Sequence, residues 1–228
     1  MQKLAKSVVF TAAALAVGVL LGQRDAHGAV LATWTFETSQ PATAGPFVPE
    51  VGLGSALGGT GGTYSSPAGN GSAHSFSSNG WDVGDNYQFS VAGDGSTEYH
   101  ITFDQTSSNT GPRDFKVQFS TDGTTFNDLP TAFNYQVPAN AGANTWNTTT
   151  PVAGATFSAG LTLGSSPASL FFRLVDTSTT SANGTTVASG GTDRVDNVTI
   201  NSGPVPEPAS LGLIMVLAAP LCARRRRS

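Results

Sequence analysis

The stretch Tyr87-Gln88-Phe89-Ser90-Val91, followed by Asp94-Gly95 and then by Glu98-Tyr99-His100-Ile101-Thr102-Phe103, decides the fold class. Apolar and polar residues alternate with a period of two in both runs. This gives each segment one apolar and one wet face and predicts half-buried β-strands. Asp-Gly between them suits the positive φ of a tight hairpin turn, so the pair is expected to form a hairpin. The pattern continues outward. Trp34 and Phe36 alternate with Thr33 and Thr35. Phe115, Val117 and Phe119 alternate with Lys116 and Gln118, and a second Asp-Gly, Asp122-Gly123, leads into Thr124–Leu129. Weaker runs are Phe133-Tyr135-Val137, Leu161-Leu163, Leu170-Phe172-Leu174 and Val198-Ile200. No segment of residues 30–203 sustains a 3.6-residue apolar period. The expectation is an all-β fold, an antiparallel β-sandwich of jelly-roll type, flanked by an N-terminal signal helix and a C-terminal hydrophobic helix. Two turn-rich stretches, Thr38–Gly80 and Ala139–Ala159, are expected as long loops.

Composition narrows the function. The chain has 228 residues, of which 11% are charged, and a single Cys, Cys222. Residues 30–203 hold four basic and thirteen acidic residues, a net charge of −9. Such a surface repels phosphate backbones and anionic lipid, so nucleic acid is not an expected partner. With no Cys in this body there is neither a disulfide framework nor a thiolate metal site.

The ends carry most of the positive charge. In residues 1–28, Lys3 and Lys6 precede an apolar run from Ser7 to Gly22. Ala26-His27-Gly28 then places small residues for cleavage before Ala29, the order of a secretory signal peptide. In residues 204–228, Val205-Pro206-Glu207-Pro208 precedes an apolar segment, 209–223, and the cluster Arg224-Arg225-Arg226-Arg227. Fifteen residues make about 22 Å of helix, a short span for a bilayer. The arginines would remain on the cytoplasmic side.

This order of parts resembles the PEP-CTERM sorting signal of Gram-negative bacteria. The resemblance implies an exosortase as partner, processing near Val205, Pro206, Glu207 and Pro208. It also implies a transmembrane helix over 209–223 and a stop-transfer role for Arg224, Arg225, Arg226 and Arg227. Localisation would be the cell surface or extracellular matrix, with anchoring in the inner membrane, transient or permanent. The stretches Ser107–Arg113, Phe119-Ser120-Thr121-Asp122-Gly123 and Arg194–Ile200 are similar to an extracellular domain of PEP-CTERM proteins. The Ser-Thr-Asp-Gly turn and the Asp-Asn-Val strand also resemble jelly-roll carbohydrate-binding and discoidin-like modules.

Catalytic chemistry is weakly marked. There is no Gly-x-Ser-x-Gly elbow, no His-Glu-x-x-His pair and no phosphate-cradling Gly loop, so no catalytic residue is assigned and no enzyme is expected. No cofactor is expected beyond a structural Ca²⁺, for which oxygen-rich candidates are Asp82, Asp85 and Asn86, and Asp193 and Asp196. Asp196 shares parity with Val198 and Ile200, so it is expected to point inward and to need a partner. Sugar binding uses aromatic faces, and Tyr64, Trp81 and Trp146 lie in the turn-rich stretches as candidates. Three readings stand. The first is an exported, non-catalytic surface or exopolysaccharide-matrix protein. The second is a carbohydrate-binding module recognising exopolysaccharide. The third, least favoured, is a glycan-active enzyme.

Overall fold

The computed structural model describes residues 28–203; the segments expected to be the signal peptide, transmembrane helix and sorting signal lie outside the described residues. Strand alternation carries through as the sequence implies. The strands are β1 (Val30–Trp34), β2 (Val51–Gly52), β3 (Gly54–Gly58), β4 (Tyr64–Ser65), β5 (Phe76–Ser78), β6 (Asn86–Ala92), β7 (Glu98–Ser107), β8 (Asp114–Ser120), β9 (Asn127–Asp128), β10 (Asn134–Gln136), β11 (Thr156–Thr162), β12 (Ser169–Asp176) and β13 (Asp193–Ser202). Helix among the described residues is limited to two 3₁₀ turns, Gly142–Asn144 and Ala153–Ala155.

All pairings between named strands are antiparallel and build two sheets. The seven-stranded sheet runs β11-β7-β13-β1-β2, with β5 also on β13 and β4 on β5; the six-stranded sheet runs β10-β8-β12-β6-β3, with β9 also on β8. The inward residues of both sheets meet in one apolar layer. Trp34, Phe76, Ile101, Phe103, Val198 and Ile200 come from one sheet; Tyr87, Phe89, Phe115, Leu170, Phe172 and Leu174 come from the other. Aromatic edges bridge the layer, with Phe76 and Tyr87 ring centroids 5.1 Å apart and Tyr135 and Phe157 4.6 Å apart. The architecture is thus an antiparallel β-sandwich.

Three local expectations are corrected. Asp94-Gly95 does not close a hairpin: β6 pairs with β3 and β12 and β7 with β11 and β13, so this turn carries the chain from one sheet to the other. Asp122-Gly123 does join two paired strands, β8 and β9. The stretch Thr38–Gly80 is not one loop, for it contributes β2, β3, β4 and β5. Finally, β1 ends at Trp34 because Phe36 adopts φ +58°, which turns the chain while keeping the ring buried against Phe76.

The two ends of the body lie together. Val30 pairs with Asn201, Ser202 N donates to Ala29 O at 2.9 Å, and Gly203 N donates to Glu98 O at 2.8 Å. Ala29 and Gly203 therefore lie at the same end of the seven-stranded sheet.

Candidate functional site

The aromatic residues that sequence selects as sugar platforms have other tasks. Trp81 is 5% exposed, with its ring edge-on to Tyr87 and Phe115 and its Nε1 donating to Ser78 O at 3.0 Å. Trp146 is 3% exposed, and the Arg194 guanidinium sits 5.9 Å from its ring centre. Tyr64 is half-buried on Phe76, and its hydroxyl both accepts from Thr60 N and donates to Thr60 O. None of the three offers a free ring face. They are wedges that close the layer and fix its covering segments.

The oxygen-rich candidates separate as well. Asp82, Asp85 and Asn86 form a surface turn in which Asp82 N donates to Asp85 Oδ2 at 2.8 Å and Asn86 Nδ2 to Gly84 O. Asp193 and Asp196, three residues apart, lie on opposite faces of the seven-stranded sheet. Plain alternation separates these two, and a β-bulge then keeps Val198 and Ile200 off the face of Asp196: the β7–β13 register breaks between Asp196 and Thr199, and Asn197 takes φ +50°. Parity before the bulge is therefore the reverse of parity after it. Asp193 and Val195 face the core, while Asp196 faces out and is buried by the covering segment around Asn70 and Ser72. Among the described residues no group of three or more His, Cys, Asp or Glu side chains is disposed to hold a metal ion.

Each of these aspartates sits in a closed hydrogen-bond network. Asp196 accepts from Asn70 N (2.9 Å), Ser72 Oγ (2.6 Å) and Asn197 N (2.8 Å). Its cross-strand neighbour Asp104 accepts from Asn70 Nδ2, Asn197 Nδ2 and Thr156 Oγ1. Burial pushes the Asp196 carboxyl up to about 7 against these donors, with the nearby Asp104 charge adding to the rise.

Asp193, 0% exposed, accepts from Gln105 Nε2 at 2.9 Å, and Gln105 Oε1 in turn accepts from the Tyr135 hydroxyl at 2.7 Å. The Ser107 hydroxyl lies 2.5 Å from Pro112 O and 2.8 Å from Asp193 Oδ2. Burial raises this carboxyl well above the usual carboxylate range, against the Gln105 and Ser107 hydrogen bonds that favour the charged form. Asp193 is a buried structural acid inside the sandwich. Its partners leave neither it nor the Asp104–Asp196 pair open to a substrate as an acid–base couple.

The surface that does offer chemistry is the outer face of the six-stranded sheet. Because Leu170, Phe172 and Leu174 point inward, β12 must turn Phe171 and Arg173 outward. Register then assembles two rows. Arg173 is flanked by Gln88 and Gln118, with Leu57 and Asp128 beyond them; Phe171 is flanked by Ser90 and Ser120, with Ser55 beyond Ser90. Arg173 Nε donates to Gln88 Oε1 at 2.9 Å, and its guanidinium carbon lies 3.5 Å from the centre of the Phe126 ring. Beside Phe171 an open groove of about 280 Å³ is lined by Leu53, Ser90, Val91, Ala92 and Ser169, and Leu53 is 81% exposed at its mouth.

The turn that carries Phe126 is rigid for a local reason. Asp122 Oδ1 accepts from Thr124 N, Thr125 N and Ser120 Oγ, each at 2.8 Å, and these bonds hold its carboxyl well below the usual range. Gly123, at φ +73°, lets the backbone approach so closely that a Cβ there would stand 2.9 Å from the tip of the Phe171 ring. One turn thus positions both aromatic rings.

No family model and no curated protein matches the chain. Among solved structures it is similar to a cleaved adhesin domain of Lys-gingipain from Porphyromonas gingivalis, with 16% identity over 76% of this chain and 100% of that one and a TM-score of 0.41. It is also similar to the CBM22-1–GH10 modules of a Clostridium thermocellum endo-1,4-β-D-xylanase complexed with xylohexaose, with 14% identity over 77% of this chain and 29% of that one and a TM-score of 0.44. A carbohydrate-binding module from Cellvibrio mixtus lichenase 5A, in complex with cellotriose, shows 16% identity over 77% of this chain and 99% of that one, with a TM-score of 0.36. All three TM-scores fall below 0.5, so the site rests on its own geometry.

Sequence reasoning passed over Phe171, Arg173, Gln88, Gln118 and Phe126. The signal was present in Leu170-Phe-Phe-Arg-Leu174: a strand that buries Phe172 turns outward the aromatic ring before it and the guanidinium after it.

Proposed function

We propose that this chain is an exported, non-catalytic surface or matrix protein whose sandwich binds polysaccharide through the outer face of the six-stranded sheet. The observation that carries this reading is the pairing of Phe171 and its groove with the Arg173–Gln88–Gln118 row on a rigid, solvent-facing sheet. An aromatic ring beside a shallow trough takes the C–H face of a sugar, and neighbouring amide and guanidinium groups bond its hydroxyls. An open face of this kind suits an extended chain rather than an enclosed small molecule. Of the two leading sequence readings, the geometry favours the one in which the body itself recognises a glycan.

Delivery is assigned to the ends. The leader in residues 1–28 supports export, and the Pro-Glu-Pro, apolar and Arg-rich order of residues 204–228 supports tethering in the membrane and processing by an exosortase. Two measurements test the proposal. The exported protein should be retained by immobilised polysaccharides in affinity electrophoresis, with retention weakened by Phe171→Ala and unchanged by Ser158→Ala on the other sheet. Mass spectrometry of the protein from its producing organism should show a C-terminus near Pro206–Pro208; an intact Arg224–Arg227 tail would remove the sorting half.

A further inference from the structure

The body holds only four cations, and three are committed. Arg113 Nε pairs with Asp114 at 2.9 Å, Lys116 Nζ pairs with Asp128 at 2.8 Å, and Arg194 donates to Ala68 O beneath the segment around Trp146. Arg173 is different. Among the described residues no carboxylate reaches it within ion-pair distance, and its one hydrogen bond is made by Nε to Gln88. The Phe126 ring and that bond fix the plane of the guanidinium, leaving both terminal nitrogens without a partner among the described residues. A pre-oriented planar fork of N–H donors matches a carboxylate, which it can grip by two parallel bonds.

We propose that Arg173 binds the carboxylate of a uronic acid unit in a sparsely charged polysaccharide, while Phe171 and its groove take the neighbouring neutral sugar. This rests on the reading of the same face as a polysaccharide surface. Two residues along β12 separate Phe171 from Arg173 by about 7 Å, the scale of adjacent sugar units. The rest of the body argues for sparse charge. With a net charge of −9, the protein repels a polymer carrying a carboxylate on every sugar. Isolated carboxylates escape most of that repulsion, because it is screened within about 8 Å at physiological ionic strength. The nearest acid in the Arg173 row, Asp128, is already occupied by Lys116 and Gln118.

The test compares glucuronoxylan with its carboxyl-reduced form, which keeps the chain geometry and removes the charge. The exported protein should bind the native polymer about tenfold more tightly than the reduced one, the worth of one hydrogen-bonded charge pair. Arg173→Gln should abolish the preference by weakening native-polymer binding to the reduced-polymer level. Arg173→Lys should retain part of it, and Phe171→Ala should weaken both polymers alike. Equal affinity of the wild-type protein for the two polymers, or a preference that survives Arg173→Gln, overturns the carboxylate assignment while the polysaccharide face stands. Failure to bind either polymer overturns both.

Discussion

The two sheets order their polar and aromatic residues in opposite ways. The seven-stranded sheet turns Asp193, Gln105 and Ser107 into the sandwich, each with a hydrogen-bond partner. The six-stranded sheet turns Phe171 and Arg173 out of it and rests Arg173 on Phe126. A buried polar group is costly when left unmatched, so the matched first arrangement specifies the register of β7 against β13 and is closed to ligands. An outward-facing aromatic ring beside an unpaired cation contributes little to stability, so the second is free to serve recognition. Residues that look most reactive in the sequence, the aspartates, are structural. The least conspicuous, Phe171 and Arg173 two residues apart in one strand, form the proposed site.

This contrast can be broken by substitution. The largest effect is expected from the two adjacent phenylalanines of β12. Phe172→Ala, at a fully buried position, should cost about 3–5 kcal/mol in urea unfolding. Phe171→Ala should cost under about 1 kcal/mol yet reduce polysaccharide retention. Similar losses at both positions would erase the distinction between the faces.

Next comes Asp193. Removing its side chain with Asp193→Ala should cost about 3 kcal/mol by stranding Gln105 and Ser107. Asp193→Asn, an amide close in shape to the neutral acid, should cost about 1 kcal/mol or less. Equal losses from the two changes would show that the carboxyl is ionised in the folded protein.

The third handle is pH. Burial raises Asp176 to about 6, Asp196 to about 7 and Asp193 well above the usual range. Each holds its proton more tightly folded than unfolded, so the stabilisation these groups give is greatest below their unfolded value near 4 and is lost as pH climbs through 6 and 7. Thermal and urea stability should therefore be higher at pH 5 than at pH 8, on the order of 4 kcal/mol from Asp176 and Asp196 together. A flat or opposite profile would mean that the network holds these carboxylates ionised. The smallest expected effect is at the turn. Gly123→Ala forces a side chain onto φ +73° and against the Phe171 ring, at about 1 kcal/mol, and should lower polysaccharide retention with it.

Period-two alternation identified the long strands, their inward residues and the all-β class, because a half-buried strand must segregate its faces locally. Turn chemistry was less informative. Asp94-Gly95 and Asp122-Gly123 are the same dipeptide between similar strands, yet only the second connects paired neighbours. A positive-φ turn reverses the chain in either case, and the sheet that the next strand joins depends on which distant strands are already paired. The parity argument for Asp196 failed for a related reason. A bulge at Asn197 shifts the register in mid-strand, and it is fixed by where β13 exchanges its neighbour β5 for β1. Trp81 and Trp146 were misleading as platforms, since long covering segments need large apolar wedges just as ligand sites do.

The order of residues alone settled what each segment of the body prefers, a strand or a turn, and that this body is acidic. These are properties of neighbours along the chain, set by side-chain alternation and local charge. Which strands lie side by side, and so whether Phe171 stands beside Ser90 and Ser120 or Asp193 meets Gln105, depends on contacts between residues far apart in sequence. Only the closing of two sheets around one apolar layer chose them, because long-range pairings are stabilised together or not at all.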